Sequence, residues 1–153
     1  MYDFRVYYED VEVGHKDTYG AKEVTAEEII AFATDYDPQL FHLDDDAAKL
    51  TPFGGLCASG WHTGAMAMRM MVDRLHETGL ACVGSPGLED LKWRKPVFPG
   101  DILSVTLETK WKKESESRPN LGLIGTETTV TNQKGEKVMT HNSVMMILRR
   151  PQG

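Results

Sequence analysis

A long helix with almost no polar side must be wrapped by something else, and this chain follows such a helix with nothing but strand-like sequence. From about Ser59 to Glu77, Ala65, Met66, Ala67, Met68, Met70, Met71, Val72 and Leu75 leave few polar positions until Asp73 and Arg74. A helix apolar on nearly all sides is expected to be buried on nearly all sides. Gly79 suits the residue just past its end, where a left-handed conformation closes the last turn.

After Gly84 the pattern changes. Leu88 to Val97, Ile102 to Lys113, Leu121 to Thr131 and Glu136 to Arg149 carry β-branched and aromatic residues in partial period-two alternation. Pro99-Gly100 fits a type II turn and Asn132-Gln133-Lys134-Gly135 a tight hairpin loop. Upstream, Lys16 to Val24 carries a weaker strand signal. Thr25 with Glu28 reads as a capping box opening a helix that must end near Tyr36, because Pro38 forces Asp37 out of helical geometry. Asp44 to Lys49 reads as one or two further turns. One strand, helices, a buried helix and four successive antiparallel strands define an α+β chain: an antiparallel sheet wrapped around a long central helix, the layout of a hot-dog fold.

A chain of 153 residues fits a single domain spanning 1–153. Its net charge of −6 argues against nucleic acid and against charge-driven binding to an anionic membrane. Cys57 and Cys82 are too few and too far apart for a zinc site, so buried, reduced thiols are expected. No run reaches the roughly 18–20 apolar residues of a membrane span and no signal-peptide core opens the chain, which together point to the cytoplasm.

The chemistry concentrates in Asp37-Pro38-Gln39-Leu40-Phe41-His42. A carboxylate and an imidazole lie five residues apart around a non-helical turn, and a carboxylate beside histidine fixes its tautomer and orientation. Either residue could instead be a turn cap or a packing group. Gly60 opens the apolar helix, where a free N–H points along the positive end of the dipole; close helix packing would explain a glycine equally well. Ser59 at a helix start is ordinarily an N-cap. His62, one turn into the helix, reads as a hydrogen-bonded packing residue. Lys92, Arg94 and Lys95 around Trp93 form either a phosphate-binding cluster or a solvated strand face. Asp44, Asp45 and Asp46 lack the spaced partners of a metal site.

These residues resemble the MaoC-like dehydratases, which include the (R)-specific enoyl-CoA hydratases. Their signature, Asp-x-Asn-Pro-x-His-x-Asp followed by a Phe and then His-Gly at the central helix, finds Asp37, His42 and Asp44 in register, with Phe53 and Gly60 at the later positions. Gln39, Leu40 and Ser59 depart from it, and the Asp-Pro-Gln-x-Phe-His form looks like a subgroup. Asp35, seven residues before His42, offers a second register. The resemblance implies Asp37, His42 and Gly60 as the catalytic residues and Ser59, Phe53, Trp93 and Arg94 along the substrate. The implied reaction is reversible addition of water to a trans-2-enoyl thioester, giving a 3-hydroxyacyl thioester, with coenzyme A as part of the substrate and no metal or further cofactor. A hot-dog thioesterase and a non-catalytic acyl-CoA-binding protein are the alternatives. An open sheet edge makes a homodimer or dimer-based oligomer the expected assembly.

Overall fold

The computed structural model describes residues 2–153. After a 3-10 turn at Tyr8–Asp10 come β1 (Lys16–Glu23), α1 (Ala26–Tyr36), a 3-10 turn at Leu40–His42, α2 (Asp45–Lys49) and α3 (Gly60–Thr78). Then follow β2 (Cys82–Gly84), β3 (Leu88–Trp93), β4 (Ile102–Glu114), β5 (Leu121–Thr131) and β6 (Lys137–Leu148). All strand pairs are antiparallel in the order β1-β4-β5-β6, with β2 and β3 both on the far side of β6. This is the expected hot-dog arrangement, with α3 packed on the sheet.

The local signals act through identifiable bonds. Thr25 accepts the Glu28 N–H at 3.2 Å, but the Glu28 carboxylate turns to the Lys22 ammonium at 2.8 Å, so only half of the expected capping box forms. A charged partner outcompetes a backbone amide for a carboxylate. Asp44 caps α2 through the Ala47 N–H at 2.8 Å. Gly79 takes φ 75° and closes α3, while Gly100 at φ 89° allows the turn between Phe98 and Asp101. Beyond the four strands expected after Gly84, the short β2 completes the edge beside β6. Its three residues, Cys82–Gly84, are too few to show an alternating pattern in the sequence.

The central helix departs from expectation. His62, Thr63, Met66, Ala67 and Met70 are buried, but Trp61, Ala65 and Met68 face outward. The sheet curls around one side only: α3 packs on β1 and β4, with α1 against its first turn, and among the described residues Trp61, Ala65 and Met68 are left exposed on its outer flank. The larger core joins Ile29, Met66, Met70, Leu103, Val105, Val130 and Val138. A smaller one gathers Tyr8, Ile124, Met145 and Ile147 under the N-terminal segment. Arg5 and Val6 N–H both reach the Gly79 carbonyl, at 2.8 and 3.0 Å, and tie that segment to the end of α3.

Candidate active site

Asp37 ends α1 with φ −152° and ψ 68°, the non-helical geometry that Pro38 demands. The following 3-10 turn swings His42 back into the protein, where it is 6% exposed. Its Nδ1 lies 2.7 Å from the Cys57 carbonyl oxygen, and its Nε2 lies 3.3 Å from Asp37 Oδ2. A carbonyl only accepts hydrogen bonds, so Nδ1 carries the proton. In the neutral ring Nε2 is then bare and confronts a carboxylate oxygen. Two acceptors at that distance are stable only with a proton between them or a water that donates to both. The pair is therefore built to hold a transferable proton. Asp35, the other register, is exposed on α1 and the imidazole faces Asp37.

The carboxylate is fixed from its other side. The Gln39 amide donates to Asp37 Oδ1 at 2.7 Å. Ser59 occupies the N-cap position of α3 but caps nothing. Its hydroxyl is fully buried and completes no well-aligned hydrogen bond, although it lies close enough to Asp37 to favour the charged carboxylate. Burial is the largest single influence on Asp37 and works to raise its pKa. The Ser59 hydroxyl, the Gln39 amide and the His42 imidazole together outweigh it and hold the carboxyl below its ordinary value of 3.8.

Gly60 follows immediately. The first helical bond of α3 runs from the Thr63 N–H to the Ser59 carbonyl, so the N–H groups of Gly60 and Trp61 lie ahead of the ladder at the positive end of the dipole. The Trp93 indole lies against Gly60, donates from Nε1 to the Gly60 carbonyl at 2.8 Å and leaves no room for a β-carbon there. Trp61 meets the same indole edge-on at 5.1 Å. Close packing and an accessible helix terminus are thus both features of this glycine.

The remaining expected residues scatter around this centre. Phe53 packs on Phe41 at 5.0 Å, and Phe41 packs edge-on against His42 at 4.5 Å, so Phe53 supports the imidazole at one remove. The Arg94 guanidinium donates one of its N–H groups to Thr140 Oγ1 at 3.0 Å, and Lys95 pairs with Glu136. His62 is a packing residue stacked on Phe32 at 4.8 Å, but its Nδ1 has no partner, and burial pushes its pKa below 6.5. Both cysteines are free, Cys57 buried and pushed up to about 11 by that burial. Two groups escaped the sequence reading: the Cys57 carbonyl, since a backbone acceptor has no sequence signature, and Gln39 as donor to Asp37, which its spacing two residues on could have suggested.

From Gly60 an apolar cavity of about 410 Å³ runs between α3 and the β3–β6 side of the sheet, bordered by Trp61, Met68, Leu88, Leu91, Trp93 and Met139. Gly60 is the link between this cavity and the Asp37–His42 pair, which sits behind it through Ser59. Among the described residues no group of acidic, histidine and cysteine side chains could hold a metal ion. Among the described residues no helix is long and apolar enough to cross a membrane.

Residues 12–132 match the family described as MaoC like domain. The chain belongs to the MaoC-like dehydratase family. A solved MaoC-like dehydratase from Rhodospirillum rubrum superposes with a TM-score of 0.88 at 38% identity, over 97% of this chain and 100% of that one. A 3-hydroxybutyryl-CoA dehydratase of Methylorubrum extorquens is 32% identical over 106 residues, 67% of this chain and 63% of that protein. The unliganded R-hydratase of Pseudomonas aeruginosa has a TM-score of 0.72 at 26% identity, over 94% of this chain and 86% of that one. Membership supports hydratase or dehydratase chemistry in general, and in a MaoC-like protein the carboxylate–imidazole pair is the natural place to look for it.

Proposed function

We propose that this MaoC-like protein reversibly hydrates a trans-2-enoyl thioester to the 3-hydroxyacyl thioester, with coenzyme A as the carrier. The observation that carries the proposal is the Nδ1 bond to the Cys57 carbonyl, which leaves Nε2 and Asp37 Oδ2 as two acceptors 3.3 Å apart. A water bound there donates one hydrogen to each. As its oxygen adds to C3, one of the two groups takes its proton, and a proton is delivered to C2. The Gly60 N–H donates to the thioester oxygen at the helix terminus as enolate charge develops. The acyl chain lies in the apolar cavity that starts at Gly60. Trp93 borders this cavity, and the next residue, Arg94, with guanidinium N–H groups to spare beyond its bond to Thr140, would serve the carrier. Every proton in this scheme is moved by a protein side chain or by water, so the reaction as written needs no metal or redox cofactor.

The proposal is supported by the relatives named 3-hydroxybutyryl-CoA dehydratase and R-hydratase. It is tested by following the enoyl-thioester absorbance of but-2-enoyl-CoA together with free thiol. Loss of the band without thiol is the expected result, and thiol release would instead make the protein a thioesterase. His42→Ala and Asp37→Asn are expected to lower kcat/KM by roughly 10²–10⁴-fold, the usual contribution of a positioned acid–base group. Activity near wild type in a folded His42→Ala protein would remove His42 from the mechanism.

A further inference from the structure

A second cavity adjoins the first. It is a half-open cleft of about 360 Å³ beneath the N-terminal segment, with Val6, Val11, Leu75, Leu107 and Ile124 among its apolar walls and Asp10, Glu12, His15, Asp17 and Arg74 also lining it. Tyr19, Met71 and Met145 line both cavities and form the partition between them. Two mainly apolar clefts that share a partition form one line along which an extended hydrocarbon ligand fits. The roof of the rear chamber is no loose flap, because the Val6 carbonyl accepts the Ala81 N–H at 2.9 Å and Arg5 and Val6 are tied to Gly79.

Two of the three partition residues are methionines, unbranched side chains that change rotamer at small cost and fill or vacate irregular space. A chain entering at Gly60 and following the apolar wall of the first cavity reaches Met71 and Met145. Swinging these aside joins the two spaces. The rim of the rear chamber indicates what can end there. Arg74 is held bidentately by Asp17 at 2.9 and 3.0 Å and bonds Glu77 at 3.1 Å, while Glu12 adds negative charge, Asp10 is paired with Arg150 and His15 completes the polar lining. A terminal carboxylate would meet acidic groups and a guanidinium already neutralised. A hydrocarbon end meets Val6, Val11, Leu75 and Leu107.

We propose that the chamber under Tyr8–Asp10 receives the neutral hydrocarbon end of a long acyl chain, admitted past Met71 and Met145 from the Gly60 side. The proposal rests on the hydratase reading for its substrate, and it adds a compartment and a chain class to it: straight, long and without a distal charge.

The experiment compares hexadec-2-enoyl-CoA with but-2-enoyl-CoA in the wild-type protein, in Val11→Trp, which fills the chamber from its roof, and in Met71→Ala, which thins the partition. The ratio of long-chain to four-carbon kcat/KM is expected to fall at least about ten-fold in Val11→Trp, since one methylene displaced from an apolar pocket already costs roughly 10–200-fold. The same ratio is expected to rise in Met71→Ala, which keeps the test decisive should the bulky variant fail to fold. Ratios unchanged in both variants would overturn the proposal. If the wild type hydrates neither substrate, the hydratase reading fails on its own, and calorimetry with saturated hexadecanoyl-CoA and butanoyl-CoA decides the chamber. Selective weakening of the long ligand by Val11→Trp supports it, and equal affinity of the two proteins for the long ligand refutes it.

Discussion

The imidazole of His42 is oriented by a backbone carbonyl and the carboxylate of Asp37 by a side-chain amide. That division makes Gln39 open to test. Its amide and the Ser59 hydroxyl both favour the charged carboxylate against the cost of burial, and the net result is an Asp37 pKa below 3.8. A carboxyl whose folded pKa is depressed stabilises the fold above its unfolded value, about 3.9, and that stabilisation is lost as pH falls through the folded value. Gln39→Leu removes one donor to the charged form, so Asp37 will protonate at a higher pH. The acid limb of kcat/KM and the acid-unfolding midpoint are both expected to move up in pH, as read from a pH–rate profile and from circular dichroism. A limb that stays in place would mean that Gln39 does not tune the carboxylate. At this scale the sequence was informative where covalent constraint acts locally: Pro38 dictated the turn, and the five-residue spacing from Asp37 to His42 survived folding intact. The partner of Nδ1 was invisible, because any residue at position 57 would present the same carbonyl.

Among the elements, α3 and β3 meet through a contact that the sequence could not reveal, since Gly60 and Trp93 are thirty-three residues apart. The glycine was legible as special, but its reason was not. The indole occupies the space where a side chain would go, so Gly60→Ala must push Trp93 aside. Overpacking of this kind costs about 1–3 kcal/mol, whereas alanine in an exposed helix would gain about 1 kcal/mol over glycine. We expect Gly60→Ala to destabilise the protein in urea unfolding, and the Gly60→Ala/Trp93→Ala double variant to be more stable than the sum of the single changes predicts. Strict additivity would show that the indole yields without cost. Strand limits were read well after Pro99-Gly100, where β4 begins at Ile102, and on both sides of Asn132–Gly135, but the strand expected over Leu88 to Val97 ends at Trp93. The capping box of α1 half-formed because Lys22, three residues before Thr25, competes for Glu28, a choice that spacing alone leaves open.

For the molecule as a whole, the apolar outer flank of α3 is the feature that the sequence reading misjudged most usefully. A helix that looked buried on nearly all sides leaves Trp61 62% and Met68 52% exposed, and the edge beside it carries Leu88 at 50% and Trp93 at 45%. All four border the cavity that starts at Gly60, so they form one patch rather than scattered surface residues. Contiguous exposed apolar surface of this kind marks an interaction site, and β3 offers an unpaired strand edge along it. The opposite edge, β1, is better defended: Lys16 pairs with Glu108, Asp17 with Arg74 and Lys22 with Glu28. A second copy placed on the β3 side by a two-fold axis would continue the sheet, cover Met68 and Trp61 and close the mouth of the cavity against water. We therefore expect light scattering to give the mass of a dimer at micromolar concentration. Met68→Glu combined with Leu88→Glu is placed to break it, because each copy would then bury unpaired charge of one sign, and like charges would face each other across the axis. Monomeric wild-type protein would refute the assembly. A dimer that persists in the double variant would locate the interface elsewhere, with the α3 flank left as a surface for some other partner.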